Sequence, residues 1–223
     1  MAFFHLYMND FYKYILKPTS INFYKKITIG HVVKLLIFYF VAILIMGLIS
    51  HLLCDKLGII KNYHLNTNKI LIGVFLAPIY EEILFRAPLI FKKKYICLFM
   101  IVSAILDVLA MIKPNILGTI VFSNFLLIPI ILHLIFSEKK IEIFIKQNFR
   151  WFFYFSVFFF GFAHLTIFSG DYLKIILIAP ILVSPQIILG LILGYIRMNY
   201  GLRYSIIFHC VINSPLLLIL LHK

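Results

Sequence analysis

Long apolar runs broken by short polar connectors dominate the chain from Leu35 onward. A helix crossing roughly 30 Å of hydrocarbon needs about 20 residues, so each run near that length predicts a membrane span. Seven such runs occur: Leu35–Leu53, Ile70–Phe91, Tyr95–Ile112, Ile116–Phe136, Trp151–Phe168, Ile175–Ile196 and Ser205–Leu221. They lack the two-residue alternation of a membrane β-barrel. The expected fold is therefore all-α, a polytopic transmembrane helix bundle of about seven spans with a buried polar site. The connectors include Lys92-Lys93-Lys94, Lys113-Pro114-Asn115 and Ser169-Gly170-Asp171, and the longer Ser137–Arg150 reads as an amphipathic helix along the interface. Pro180 and Pro185 are expected to kink the sixth span. Asn124 and His133 are expected to hydrogen-bond between helices in the fourth. Residues 1–34 mix Asp10 and five lysines with aromatics and read as a cytoplasmic or interfacial segment rather than a cleavable signal. Residues 35–223 read as one transmembrane domain.

Composition agrees with the pattern. Hydrophobic residues make up 63% of the 223 positions and charged residues 13%, against about 45–50% and about 25% in soluble domains. The net charge of +13 does not call for nucleic acid, because the basic residues sit between apolar runs, where they meet anionic lipid. With the N-terminus inside, 14 of the 21 Lys and Arg residues fall on the inner side and six on the outer. That asymmetry predicts a cytoplasmic N-terminus and an outer C-terminus. The bias toward Ile, Lys, Phe and Tyr suits an AT-rich bacterial genome, and hence the plasma membrane. Cys54, Cys97 and Cys210 have no metal or redox spacing.

The informative residues are those that a lipid environment disfavours. A charge at the bilayer centre costs about 2.5–3.5 kcal/mol on insertion scales, so such a residue implies a partner or a wet cavity. Three of the eight acids, Glu81, Glu82 and Asp107, lie in expected spans, as do Arg86, His164, His209 and Asn213. Glu82 and Arg86 are four apart and share a helical face. Glu81 is turned about 100° from Glu82, leaving it the carboxylate suited to act as a general base. His209 and Asn213, also four apart, can offer hydrogen bonds to one point, as an oxyanion requires. Phe160 and His164 share a face likewise, so Phe160 is placed to pack on the imidazole or on a substrate. Asp107 belongs to no such pair; it faces a wet cavity, pairs with Lys113 or lies near the interface. One tension stands out. Counted from the inner ends of the expected spans at about 1.5 Å per residue, His209 lies near 6 Å, Glu81 near 15 Å and His164 near 20 Å.

Three motifs follow in order: Glu81-Glu82-Ile83-Leu84-Phe85-Arg86, then Phe160-Gly161-Phe162-Ala163-His164, then His209-Cys210-Val211-Ile212-Asn213. With them, the chain from about residue 70 to 219 resembles the CPBP family, the CAAX prenyl-protease and bacteriocin-processing membrane proteins. Gly190, Gly194, Arg197 and Gly201 precede the third motif much as in that family; Ala87 stands where the family often has Gly. The resemblance implies an intramembrane endopeptidase acting on a membrane-associated peptide or protein. It implies that Glu81 is the base, activating water with His164, that His209 and Asn213 form the oxyanion hole, and that Glu82 and Arg86 organise the site.

Two chemistries fit this set. The preferred one uses no cofactor. The other places zinc on Glu81, His164 and His209 with an open position for water; against it, no H-E-x-x-H occurs and the histidines lie on different helices. Two other functions compete with hydrolysis: a non-catalytic bacteriocin self-immunity protein, and a transporter relaying protons or cations through Glu81, Glu82 and Asp107. Neither calls for ordered His and Asn motifs.

Overall fold

The computed structural model describes residues 2–20, 24–62, 66–112, 135 and 137–222. These residues are mostly helical. The elements that position the site are α1 (Ala2–Leu16), α2 (Ile29–Leu57), α3 (Thr67–Leu71), a π-helical turn (Ile72–Leu76), α4 (Ala77–Phe85), α5 (Lys93–Ile112), α6 (Glu138–Gln147), α7 (Phe149–Ala163), α8 (Tyr172–Leu182), α9 (Ser184–Tyr200) and α10 (Leu202–Asn213). One antiparallel pairing of two-residue strands, Ile60–Lys61 with Phe168–Ser169, ties the end of α2 to the end of α7.

Three helical stretches among the described residues are long and apolar enough to cross a membrane alone: Ile29–Leu57, Phe149–Ile167 and Leu202–Leu220. The pair α8 and α9, bent by 41°, makes a fourth if read as one broken span. The described residues thus supply three or four of the seven expected crossings. The fourth expected span, with Asn124 and His133, lies outside the described residues except for Ile135, and so does Lys113.

The bend between α8 and α9 falls where the two prolines lie. Pro180 sits inside α8 and Pro185 in the first turn of α9, a position where the missing N–H costs nothing. The first span is longer than its apolar core. Thr28 caps α2 by accepting from the backbone N–H of His31, and Gly58 ends it in the left-handed region at φ 68°.

The expected second span, drawn from Ile70 to Phe91, is not one helix. Pro88 has no N–H for the carbonyl of Leu84 and disfavours helix at Ala87, so α4 stops at Phe85 and a 3-10 turn, Ala87–Leu89, follows. Upstream, Pro78 has a matching effect. The Ala77 N–H reaches back five residues to the Ile72 carbonyl, and a π register continued by one residue would ask for a Pro78 N–H that does not exist. The carbonyl of Gly73 is thereby left without a helical donor.

The core joins the N-terminal helix to the bundle. Phe11 and Tyr14, three apart on one face of α1, are buried. Phe11 packs edge-on against Tyr195 at 5.3 Å between ring centres, and Tyr14 against Phe153 at 5.6 Å. The segment expected as a lead-in therefore contributes aromatic core to α7 and α9. Those two helices approach closely along Gly190 and Gly194: a β-carbon at Gly194 would lie 2.7 Å from the Phe153 ring, and one at Gly190 3.2 Å from Val157. Small residues four apart permit this approach in membrane helices. The expected interfacial helix appears as α6, whose buried contact is Ile141.

Candidate active site

The break after Phe85 removes the depth mismatch between Glu81 and His209. Glu81 lies only four residues, about 6 Å, from the end of α4, instead of midway down a long span. Side chains from neighbouring helices hold that end. Ser156 of α7 donates to the Phe85 carbonyl at 2.5 Å, and Arg197 of α9 donates through Nε to the Arg86 carbonyl at 3.0 Å. The Phe85 carbonyl, orphaned by the helix end, and the Arg86 carbonyl, which also accepts from the Leu89 N–H at 3.3 Å, thus become docking points for α7 and α9.

The site has a closed floor. Glu82 and Arg86 are fully buried, with Arg86 Nε 3.7 Å from Glu82 Oε1. That is an ion pair without a hydrogen bond, and none of the three guanidinium nitrogens has a hydrogen-bond partner among the described residues. The guanidinium instead rests on the face of Phe160, 3.9 Å from the ring centre. In a desolvated place this cation–π contact is worth about 2 kcal/mol or more. The second oxygen of Glu82 accepts from the hydroxyl of Ser205, and its first lies 3.3 Å from His209 Nδ1.

Above this floor is a more open rim. His209 Nε2 lies 3.7 Å from Glu81 Oε2, and the Glu81 side chain keeps 16% of its surface. His209 thus stands between two carboxylates, one facing each ring nitrogen. His164, in the 3-10 turn after α7, donates from Nδ1 to the Phe160 carbonyl at 2.9 Å. That bond leaves Nε2 of the neutral ring as an acceptor. The Phe160 ring lies 5.1 Å from the His164 ring and 5.8 Å from the His209 ring. It is wholly buried, so it props both imidazoles from beneath. His164, His209 and Arg86 all lie near Glu81. Asn213 donates through Nδ2 to the Gly73 carbonyl at 2.9 Å, taking up the acceptor that Pro78 leaves unfilled. One amide hydrogen of Asn213 is used there, and the other has no partner among the described residues.

Glu81, Glu82, Arg86, His164 and His209 therefore gather around Phe160 and α4, while Asn213, one turn beyond His209 on α10, is held at the π turn by Gly73. Asp107 is not among them; it is buried in α5. Ser205 was missed, although it lies four residues before His209 and so shares its helical face. The Gly73 carbonyl was missed too, and Arg197, named only as a position resembling the family, was given no contact. Among the described residues, no three His, Cys, Asp or Glu donors are arranged to hold a metal ion.

The family model described as Type II CAAX prenyl endopeptidase Rce1-like matches residues 64–215, which include all three motifs. No curated protein and no solved structure matches the chain.

Proposed function

The chain belongs to the Rce1-like family of type II CAAX prenyl endopeptidases, and from that premise we propose that it hydrolyses a peptide bond of a membrane-associated peptide or protein by a glutamate-activated water, without a metal. Glu81 takes a proton from water that His164 Nε2 helps to orient. The hydroxide adds to the scissile carbonyl carbon. The resulting oxyanion is stabilised by His209 Nε2 and by the Asn213 amide hydrogen that Gly73 does not use. Glu81 then returns its proton to the amine nitrogen as the C–N bond breaks, giving a carboxylic acid and an amine.

The observation that supports this most is the placement of His209 between the partly buried Glu81 and the fully buried Glu82. Glu82, fixed by Arg86, Ser205 and His209, is a positioning carboxylate. Among the described residues no hydrogen bond holds Glu81 to the floor, and it lies on the more open side. An immunity protein or a transporter has no need of imidazoles and an amide arrayed about that carboxylate, so the hydrolase is the reading this geometry favours.

The test is a comparison of membrane peptidomes from cells expressing the wild-type protein and Glu81→Gln. The expected result is the loss of specific cleavage products, with their uncleaved precursors accumulating and the variant present at wild-type abundance. Indistinguishable peptidomes at equal protein levels would overturn the proposal.

A further inference from the structure

A second polar region lies at the opposite end of Arg197 from the Arg86 carbonyl. The Arg197 side chain is fully buried, yet no carboxylate pairs with it among the described residues. Its Nη1 donates to the Tyr24 hydroxyl at 3.0 Å, its guanidinium lies 4.3 Å from the Tyr95 ring centre, and its Nη2 has no hydrogen-bond partner among the described residues. Tyr24 and Tyr95 form part of the wall of a cavity of about 500 Å³, together with Lys94, Tyr200, Arg203 and Tyr204. No acidic residue lines it among the described residues. Lys94 Nζ also approaches the Tyr95 ring, at 5.0 Å.

The backbone adds to this positive field. The cavity wall includes Gly201, Leu202 and Arg203 at the start of α10, whose first turn has no side-chain cap. Free N–H groups and the helix dipole both favour an anion at such an end. Gly201 makes the turn possible: its φ of 107° is closed to most side chains, and its bare face lies against the Tyr24 ring at about 3.5 Å from an added β-carbon. The link from Lys25 N–H to the Asn199 carbonyl at 2.7 Å pins that tyrosine in place. The opening is therefore a built feature with two exposed cations, four tyrosines and a buried third cation behind the wall. It sits at the starts of α5 and α10, on the lysine-rich side of the bundle, where tyrosines belong at headgroup depth.

The geometry points to a binding site for a phosphate-bearing anion in this cavity, held by Lys94 and Arg203 and backed by Arg197. The headgroup of an anionic phospholipid and a free phosphate share that chemistry. The site is separate from the Glu81 constellation and does not depend on catalysis.

The test uses the full-length protein, stripped of lipid in neutral detergent and then titrated with phosphatidylglycerol or phosphatidylcholine, with bound lipid counted by native mass spectrometry. Phosphatidylglycerol should be retained in preference to phosphatidylcholine. A cation near a membrane surface contributes about a fivefold affinity gain, so Lys94→Gln with Arg203→Gln should weaken retention by about thirtyfold. Lys139→Gln with Lys140→Gln, on the exposed face of α6, should leave it unchanged. Lys94→Arg with Arg203→Lys should also preserve it, and the single Gln variants, about fivefold weaker each, carry the test if the double variant does not fold. Displacement of the lipid by millimolar inorganic phosphate would identify the soluble anion as ligand; retention against it would identify the lipid headgroup. Equal phosphatidylglycerol binding by the wild type and the Lys94/Arg203 Gln variants, or an equal loss on changing Lys139 and Lys140, would overturn the proposal.

Discussion

Replacing Arg86 by Met should destabilise the protein severely, and adding Glu82→Gln should restore much of the loss. At 3.7 Å two unit charges attract by about 4.5 kcal/mol at an effective dielectric of about 20. Removing one member of a buried pair typically costs about 3–5 kcal/mol, because the other charge is left without compensation. The two figures agree. Glu82 cannot relax toward water, since its side chain is fully enclosed. The Arg86→Met variant also loses the contact with Phe160, although the methionine chain fills much of the same volume. In the double variant no buried charge is stranded there, and a glutamine at 82 can still accept from Ser205. Recovery should be incomplete because His209 loses a charged neighbour. The assay is a double-mutant cycle from reversible unfolding in detergent micelles, with a coupling energy of at least about 2 kcal/mol expected. If Arg86→Met unfolds within about 0.5 kcal/mol of wild type, or if the two substitutions add without coupling, the pair does not organise the floor of the site and the reasoning fails.

Ser205→Ala removes a hydroxyl that donates to a buried carboxylate, an interaction worth about 1.5–3 kcal/mol. We expect cleavage to slow by at least tenfold with substrate affinity nearly unchanged, measured as separate kcat and KM on a membrane-embedded reporter peptide; a fall in affinity alone would contradict a positioning role. Exhaustive dialysis against a zinc chelator should leave cleavage intact, since the proposed mechanism activates water with Glu81 and His164 alone. Activity lost on chelation and restored by zinc alone would replace the metal-free mechanism with a metal-assisted one.

Pairings of side chains within a helix were more legible in the sequence than the path of the chain. Glu82 with Arg86, and Phe160 with His164, could be paired from spacing because intrahelical neighbours are fixed by the helical repeat. Contacts between helices carry no such repeat. The reach of Arg197 to the Arg86 carbonyl spans 111 positions, and nothing local announces it. The second span was drawn through Pro88 because hydropathy registers the apolar character of Ala87-Pro88-Leu89 and is blind to a missing N–H. The same blindness hid the π turn before Pro78. The aromatic face of α1 was obscured because a 15-residue helix carrying Asp10 and Lys13 falls below any membrane-span threshold, although Phe11 and Tyr14 had the spacing of a buried stripe. Ser205 was in plain view by its four-residue offset from His209, and passed unnoticed because a lone serine in an apolar run is ordinarily just tolerated.

The π turn has a geometric consequence for the carboxylates downstream. A single π turn amounts to one residue inserted into an otherwise regular helix, which swings everything after it by about 100° around the axis. The compass bearing of Glu81 and Glu82 is therefore chosen at Ile72–Leu76, a turn or more ahead of them. Asn213 latches that choice by gripping Gly73, so the helix bearing the third motif also sets the aim of the first. A change at Pro78 that let the turn heal would point both glutamates at a different neighbour while leaving every reacting group chemically intact.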